Sequence, residues 1–467
     1  MNTPAPAPVR GVAMAAFALL ALLAGCASTP PASAPQMALP ANFKEQGVWQ
    51  PAAAETPVPE AWWTLFNDPV LDALESRLVL DNQTLKASYA ELAAARASLA
   101  AAQASVLPHL GAGASASRAR SGDGGSVHNN VQLSLNASWE IDLWGRLSLA
   151  VAGARASLQA SADDLAAARL SLQATLAQAY FTLRTSEAQA AVLERTVQAY
   201  TRSLDLTRKR HAAGVISGAD VAQAEVQLAN ATAQWRDALA DRAQTEHAIA
   251  VLVGSAPALF SLPVTAKLPA PVDAPALLPS TLLERRPDIA AAERRVALAQ
   301  AQLGIAQKAY FPSITLSASA GFAGSALAGL LSAPNLFWSF GPALAATLFD
   351  GGARSAAIDQ ARAGSARATA DYRQAVLVAL QEVEDNLVVA GNLRGDEALR
   401  QRALASAQRA LAIAESQYRA GTVGYLEVVS AQTSVLAAQT TLLGIRSRRL
   451  AAISTLLKNI GGRWAPA

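Results

Sequence analysis

Residues 130–142 read NVQLSLNASWEID, and this stretch shows the clearest two-residue period in the chain. Apolar residues at the odd-numbered positions alternate with polar residues at the even-numbered ones. An extended strand here would therefore have one apolar and one polar face. About ten such residues are enough to cross an outer membrane, but a strand of a soluble sheet shows the same alternation. The neighbouring sequence is needed to choose between these interpretations.

The composition favours long, closely packed helices. The chain has 467 residues, of which 52% are hydrophobic, 5% aromatic and 16% charged, and alanine dominates the apolar set. This length would normally indicate two to four domains. The formal net charge of +3 gives no strong basic field, so we expect no nucleic-acid partner.

Residues 1–25 have the pattern of a secretion signal. Arg10 supplies a basic start, residues 11–22 are apolar but short for a stable membrane span, and Leu-Ala-Gly precedes Cys26. Cys26 is the only cysteine, which excludes an internal disulfide. It is either a buried thiol or a lipidation site. The segment resembles the bacterial lipobox, which implies cleavage before Cys26, a covalent lipid on it and, because Ala27 follows, sorting to the outer membrane.

Residues 26–60 are rich in Pro and Ala and are predicted to form a lipidated N-terminal tether. A first sequence copy then occupies residues 61–254. A helix is expected to begin at Asp68-Pro69, to continue over 70–106 and to stop before Pro108. The next segment, 110–142, is predicted to be a β-hairpin.

A helical pattern follows Gly145 and continues to His211, which at 1.5 Å per residue is a rod of about 100 Å. Residues 214–218 interrupt it, and a return helix ends near Gly254. The six prolines of residues 255–280 indicate a linker.

The same order of patterns then occurs again in residues 281–462, which indicates an internal repeat. A helix from Thr281 to Tyr310 precedes a second predicted hairpin, 313–349, whose strands are expected at 314–322 and 336–349. Asp350-Gly351-Gly352 lacks the Lys-Ser/Thr of a phosphate-binding loop, and we interpret it as a hinge between strand and helix.

A second rod is predicted to end at Tyr418, before a break at 421–424 and a return helix at 425–460. Residues 463–467 form the C-terminal tail. The predicted fold is therefore mainly α-helical with four β-strands per chain. Four strands cannot close a membrane barrel, so membrane strands require association of chains. A dimer would supply eight strands and a filled interior, whereas a trimer would supply twelve and an open lumen, which the Gly, Ser and Thr residues favour.

Three motifs resemble signatures of the outer-membrane factor family, the TolC-like channels of tripartite efflux pumps: WWTLFNDP at 62–69, RRPDI at 285–289 and AYFPSI at 309–314. The similarity spans about residues 40–462, and the lipobox is similar to that of the lipoprotein subgroup. The resemblance implies a homotrimer with a twelve-stranded β-barrel and a long α-helical barrel with a closable periplasmic mouth. It also implies a periplasmic adaptor, an inner-membrane transporter of the RND type and outer-membrane lipid as partners.

The two helical breaks are the candidate adaptor-docking tips. Their glycines, Gly214, Gly218, Gly421 and Gly424, match the turn glycines of the family, although ordinary helix termination accounts for them equally well. The periplasmic gate candidates are Arg208, Arg210, Asp220, Glu415, Tyr418, Arg419 and Glu427. Asp220 and Glu427 occupy equivalent positions, and each is either a capping-box residue or a lumen-facing carboxylate.

We further hypothesise that Glu415 pairs with Arg208 or Arg210 of a neighbouring helical hairpin and holds the mouth shut. An exposed ion pair of little energetic value is the alternative. No catalytic constellation is present, the four histidines are far apart in sequence, and no metal or cofactor other than the covalent lipid is expected.

The leading functional interpretation is passive conduction of drugs or other small solutes through the outer membrane. The alternatives are the export channel of a type I protein secretion system and a lipid-anchored coiled-coil scaffold without a pore.

Overall fold

The computed structural model describes residues 40, 43–45, 61–120, 122, 125–272 and 286–460. Several predicted features lie outside the described residues: the signal peptide (1–25), Cys26, most of the tether, residues 273–280 of the linker, Arg285 and the tail (463–467).

Seven α-helices and four β-strands are formed by the described residues. In chain order they are α1 (Pro69–Asp81), α2 (Gln83–Ala104), β1 (His109–Arg120), β2 (Val127–Ile141), α3 (Arg146–Ala212), α4 (Gly218–Leu252), α5 (Pro287–Lys308), β3 (Ser313–Gly324), β4 (Leu336–Ala345), α6 (Ala353–Ala420) and α7 (Tyr425–Ile460). The two rods predicted from the sequence are α3, with 67 residues, and α6, with 68.

The start of α1 confirms the predicted N-cap. The Asp68 carboxylate accepts hydrogen bonds from the backbone amides of Val70 (3.0 Å) and Leu71 (3.4 Å), with Pro69 at the first helical position.

The single helix predicted over 70–106 is wrong, because the chain breaks at Asn82. This residue is extended, with ψ 124°, and separates α1 from α2. Its side-chain oxygen accepts from the Leu85 amide at 3.0 Å, and its side-chain nitrogen donates to the Leu252 carbonyl oxygen at 2.8 Å. Capping and a distant partner thus stabilise a break that helical periodicity does not reveal.

The four strands form one antiparallel sheet in the order β1-β2-β3-β4. The two predicted hairpins are joined through β2 and β3, where Ile141 lies opposite Ile314. The prediction that β4 extends to Phe349 is wrong. Its last residue, Ala345, pairs with the first residue of β3, Ser313. Pro312 precedes Ser313 and has no amide hydrogen, so no ladder continues beyond this pair.

The register gives the sheet one apolar and one polar face. The apolar face carries exposed large side chains, among them Leu135 (54%), Trp338 (76%) and Phe340 (66%). On the other face Ser319 and Ser339 lie opposite each other, with hydroxyl oxygens 2.8 Å apart. A monomeric soluble protein rarely exposes so large an apolar surface.

The described chain divides into two compact units. The sheet unit contains residues 91–162 and 291–373. The helical unit contains the described residues of 40–90, 163–290 and 374–460. Each unit combines segments from both sequence copies.

The helical unit has a large apolar core built on Trp62, Leu71, Leu78, Phe181 and Leu457. Among the described residues, one helix, α7, is long and apolar enough to cross a membrane. Its second half packs into this core, which accounts for its apolar composition.

One carboxyl lies within this core. Glu75 is fully buried, and neither of its carboxyl oxygens has a hydrogen-bond partner. Burial, assisted by the negative charge of Asp72 and opposed by Arg169, raises the pKa of Glu75 to about 9. Glu75 is therefore protonated at neutral pH.

A buried ionic network fixes the segment that follows α4. Arg184 pairs with Glu187 at 2.7 Å and donates to the Pro263 carbonyl oxygen, while Glu187 accepts from the Thr265 amide at 3.0 Å. Arg242 also contacts Glu187, at 3.2 Å. Arg242 also pairs with Glu246 at 3.0 Å, so each charge has an opposite partner, while the Arg184 Nε atom is buried without a hydrogen bond.

Candidate functional site

The first helical break closes α3 with a left-handed glycine. Gly214 has φ +71°, and its amide donates to the His211 carbonyl oxygen at 2.8 Å. The Val215 amide donates to the Arg210 carbonyl oxygen at 2.9 Å. These two bonds define a Schellman motif.

The second break closes α6 in the same way. Gly421 has φ +79° and donates to the Tyr418 carbonyl oxygen at 3.1 Å, and the Thr422 amide donates to that of Gln417 at 3.0 Å. Only Gly214 and Gly421 of the four candidate tip glycines have a positive φ, so only these two positions require glycine conformationally.

The return helices begin differently. Asp220 forms a reciprocal capping box with Ser217: its carboxylate accepts from the Ser217 amide at 3.1 Å, and its amide donates to the Ser217 hydroxyl at 3.4 Å. The equivalent of Ser217 in the second copy is Gly424, which has no side chain. A reciprocal box with Glu427 therefore cannot form there.

Two of the predicted gate residues are in direct contact. The Arg210 guanidinium donates to the Tyr418 carbonyl oxygen at 2.9 Å and lies 4.6 Å from the centroid of the Tyr418 ring. The Tyr418 ring packs against Tyr425, with centroids 5.5 Å apart. The Tyr425 hydroxyl lies 3.1 Å from that of Ser203. We call Ser203, Arg210, Tyr418 and Tyr425 the tip cluster.

The tip cluster joins the hairpin of α3 and α4 to the hairpin of α6 and α7. Tyr418 is 6% and Tyr425 is 2% exposed, and Leu204, Val428 and Val429 pack around them. Burial raises the pKa of the Tyr425 hydroxyl, so this ring is neutral throughout the physiological range. The Tyr418 hydroxyl is buried without a hydrogen-bond partner.

The remaining gate candidates lie outside the tip cluster. Arg208 pairs at 2.7 Å with Glu225 of its own hairpin, and both side chains are half exposed. Arg419 donates to the Glu415 carbonyl oxygen one helical turn earlier, at 3.2 Å. Within this chain, therefore, Arg208 and Arg210 have partners other than Glu415.

Sequence reasoning missed Ser203, Glu225 and Tyr425. Tyr425 has a signal in the sequence, because it is an aromatic residue at the first position of the return helix, seven residues after Tyr418. Ser203 and Glu225 have none, since their roles depend on contacts between helices.

A further group of contacts lies in the sheet unit, where β2 leads into α3. Trp144 donates to the Pro312 carbonyl oxygen at 2.7 Å and stacks on Phe311, with centroids 4.9 Å apart. Arg146 pairs with Glu140 at 2.8 Å. A cavity of about 410 Å³ lies beside these residues.

The equivalent segment before α6 is a turn between strand and helix, and its interpretation as a hinge stays a prediction. Gly351 and Gly352 have φ values of +65° and +95°, and Asp350 accepts from the Gly352 amide at 3.0 Å. Among the described residues, no group of three or more His, Cys, Asp or Glu side chains is placed to hold a metal ion.

Comparison with known proteins relates both units to one family. A family model described as outer membrane efflux protein matches residues 74–255 and 278–462. The antibiotic efflux pump outer membrane protein ArpC of Pseudomonas putida is 30% identical over 459 residues, which cover 95% of this chain and 94% of that protein. The cation efflux system protein CusC of Escherichia coli is 30% identical over 450 residues, covering 96% of this chain and 98% of that protein.

A solved structure shows the same fold. The open state of the Neisseria gonorrhoeae MtrE outer membrane channel superposes with a TM-score of 0.84 at 27% sequence identity, covering 94% of this chain and 98% of that one.

Proposed function

This chain belongs to the outer membrane efflux protein family, and from that premise we propose that it assembles as a homotrimer into a continuous conduit from periplasm to exterior. It is an outer-membrane component of a tripartite efflux system, and it works with an adaptor and an inner-membrane transporter. The resemblance drawn from the sequence motifs is thereby confirmed.

The observation that carries the trimer proposal is the open four-stranded sheet. Within the described residues, β1 and β4 each have one neighbouring strand only, so both edges carry unpaired backbone groups. An unpaired edge is not stable in lipid, and the apolar face of the same sheet is exposed. Pairing β4 of one chain with β1 of the next satisfies both requirements, and three chains give twelve strands.

The polar face of the sheet would then line the lumen. Its Ser and Asn side chains, such as Ser134, Asn136 and Ser319, are small and uncharged, which suits a wide aqueous passage. The conduit needs no chemistry of its own, and the energy would come from the inner-membrane transporter, which we propose to be of the RND type.

We place the closable mouth at the tip cluster. Arg210 and Tyr418 connect the two hairpins of one chain, so their separation would let the tips move apart. Glu415 stays a candidate for a contact between chains. If Glu415 contributes to closure, Glu415→Lys should raise single-channel conductance, whereas an unchanged conductance would exclude that role.

We also propose that a lipid on Cys26 anchors the chain in the outer membrane. Metabolic labelling with palmitate should mark the wild-type chain and not Cys26→Ser. A label on both proteins would refute lipidation at this residue.

The trimer proposal is tested by mass and by conductance. Detergent-extracted protein should have the mass of three chains and should form ion-conducting pores in planar bilayers. A monomer, or a trimer that conducts no ions, would refute the proposal and would favour the scaffold alternative. The relatives are named for efflux, so we expect a deletion strain to become sensitive to antibiotics or metal ions while protein secretion is unchanged.

A further inference from the structure

A short N-terminal segment is held against the helical unit at a site with two parts. The segment, residues 43–45, is called the strap. Phe43 is 5% exposed and lies in the core that contains Val383 and Leu387 of α6. Its burial gives the strap an apolar anchor.

The second part is a carboxylate that binds the backbone of the strap. Glu384 accepts from the Lys44 amide through Oε1 at 2.7 Å and from the Glu45 amide through Oε2 at 3.0 Å. Both carboxylate oxygens are thus used on two consecutive amides, which is a charge-assisted, two-point contact. The side chains of Lys44 and Glu45 face away, with 88% and 40% of their surface exposed.

The acidic residues of the surrounding helical turn have different hydrogen-bond and ion-pair partners. Val383 is buried in the core, Glu382 pairs with Arg286 at 2.8 Å, and Asp385 accepts from Gln381 at 3.2 Å. Glu384 is the carboxylate of this turn that binds the backbone of the strap.

We propose that Glu384 and the Phe43 pocket form a docking site for the chain's own N-terminal segment, which is recognised through its main chain and one apolar side chain. The inference deepens the proposed anchoring function. The site fixes the chain to the helical unit 17 residues after Cys26, counting from 26 to 43. At about 3.5 Å per extended residue, the lipidated end would lie within about 60 Å of the Phe43 pocket.

Limited proteolysis of the purified full-length chain tests this site. Trypsin cleaves after lysine, and the bond between Lys44 and Glu45 joins the two residues whose amides Glu384 binds. Glu384→Ala should raise the rate of cleavage after Lys44 at least tenfold without altering the scissile sequence, and Phe43→Ala should do the same.

Asp385→Asn is the matched control, because it removes a charge from the next residue and leaves the strap contacts intact. The trypsin resistance of the other sites in each variant reports whether the chain is folded. An unchanged cleavage rate in folded Glu384→Ala, or an equal increase in Asp385→Asn, would overturn the proposal.

Cys26→Ser separates the docking site from the proposed anchor. It should keep Lys44 protected, since the contacts lie beyond the lipidation site. Loss of protection in Cys26→Ser would show that the lipid, and not Glu384, holds the strap.

Discussion

Replacing Arg210 by alanine should release the two hairpin tips from each other. The change removes a charged hydrogen bond of 2.9 Å to the Tyr418 carbonyl oxygen and a cation–π contact of 4.6 Å to its ring. A hydrogen bond to a charged group contributes about 1.5–3 kcal/mol, and an exposed cation–π contact about 0.5–1 kcal/mol. Because Arg210 is only half buried, we expect a net loss of about 2 kcal/mol.

A loss of this size changes the ratio of open to closed tips about thirtyfold, at about 1.4 kcal/mol for each factor of ten. Single-channel recording in planar bilayers should show longer or more frequent openings of Arg210→Ala. Cells that express the variant should also admit large antibiotics that the wild-type channel excludes.

Arg208→Ala is the matched control. It removes an arginine two positions away whose pair with Glu225 is half exposed and lies within one hairpin, so it should have little effect. Tyr418→Phe keeps both contacts with Arg210 and should also leave gating unchanged. Equal opening in Arg208→Ala and Arg210→Ala, or no change in Arg210→Ala, would refute the assignment of Arg210 to the closed state.

Three further predictions concern the turn, the core and the sheet. Gly421→Ala imposes a side chain on a residue with φ +79° and should cost about 1–2 kcal/mol, seen as roughly tenfold faster hydrogen exchange of the amides of residues 421 and 422, whereas Gly424→Ser should not accelerate it. The pKa of Glu75 is raised from 4.5 to about 9, so its contribution to stability is fully present below pH 4.5 and is lost progressively as the pH rises to 9. Glu75→Gln should remove this pH dependence of stability and should melt at a higher temperature than wild type at pH 8–9. If the melting temperatures of both proteins changed equally between pH 4.5 and 9, the assignment would be wrong. Finally, a methyl group at Gly321 would collide with the Leu133 carbonyl oxygen of β2, so Gly321→Ala should abolish trimers on native gels, while Gly341→Ala, which has open space around it, should not.

The sequence predicts the secondary structure of this protein well because its periodicities are long and unambiguous. The alternation in 130–142 specifies β2, and the helical pattern after Gly145 specifies the extent of α3, since both depend only on neighbouring residues. The break at Asn82 could not be predicted, because a carbonyl group 170 residues away stabilises it. The early end of β4 likewise depends on where its partner strand begins.

The sequence predicts where the candidate site residues lie along the chain, but not which of them contact each other. Arg210 and Tyr418 follow from their place beside the two breaks, whereas their mutual contact joins a side chain to a main-chain oxygen 208 residues away. Charge patterns suggest Arg208 or Arg210 as the partner of Glu415, and within this chain the structure places the Tyr418 carbonyl oxygen beside Arg210. Every residue has a main-chain carbonyl oxygen, so the sequence does not show which one accepts the hydrogen bond.

The interleaving of the two sequence copies has a consequence for biosynthesis. The central pair of the sheet joins Ile141 to Ile314, and the 172 residues between them must be made before the pair can form. Contacts so distant along the chain form slowly. A nascent chain that has emerged only as far as residue 312 contains the β1–β2 hairpin but not β3. The hairpin then has an exposed apolar face and an unpaired edge on β2, and such intermediates aggregate. A factor that shielded the first hairpin until the last third of the chain arrives would prevent this aggregation.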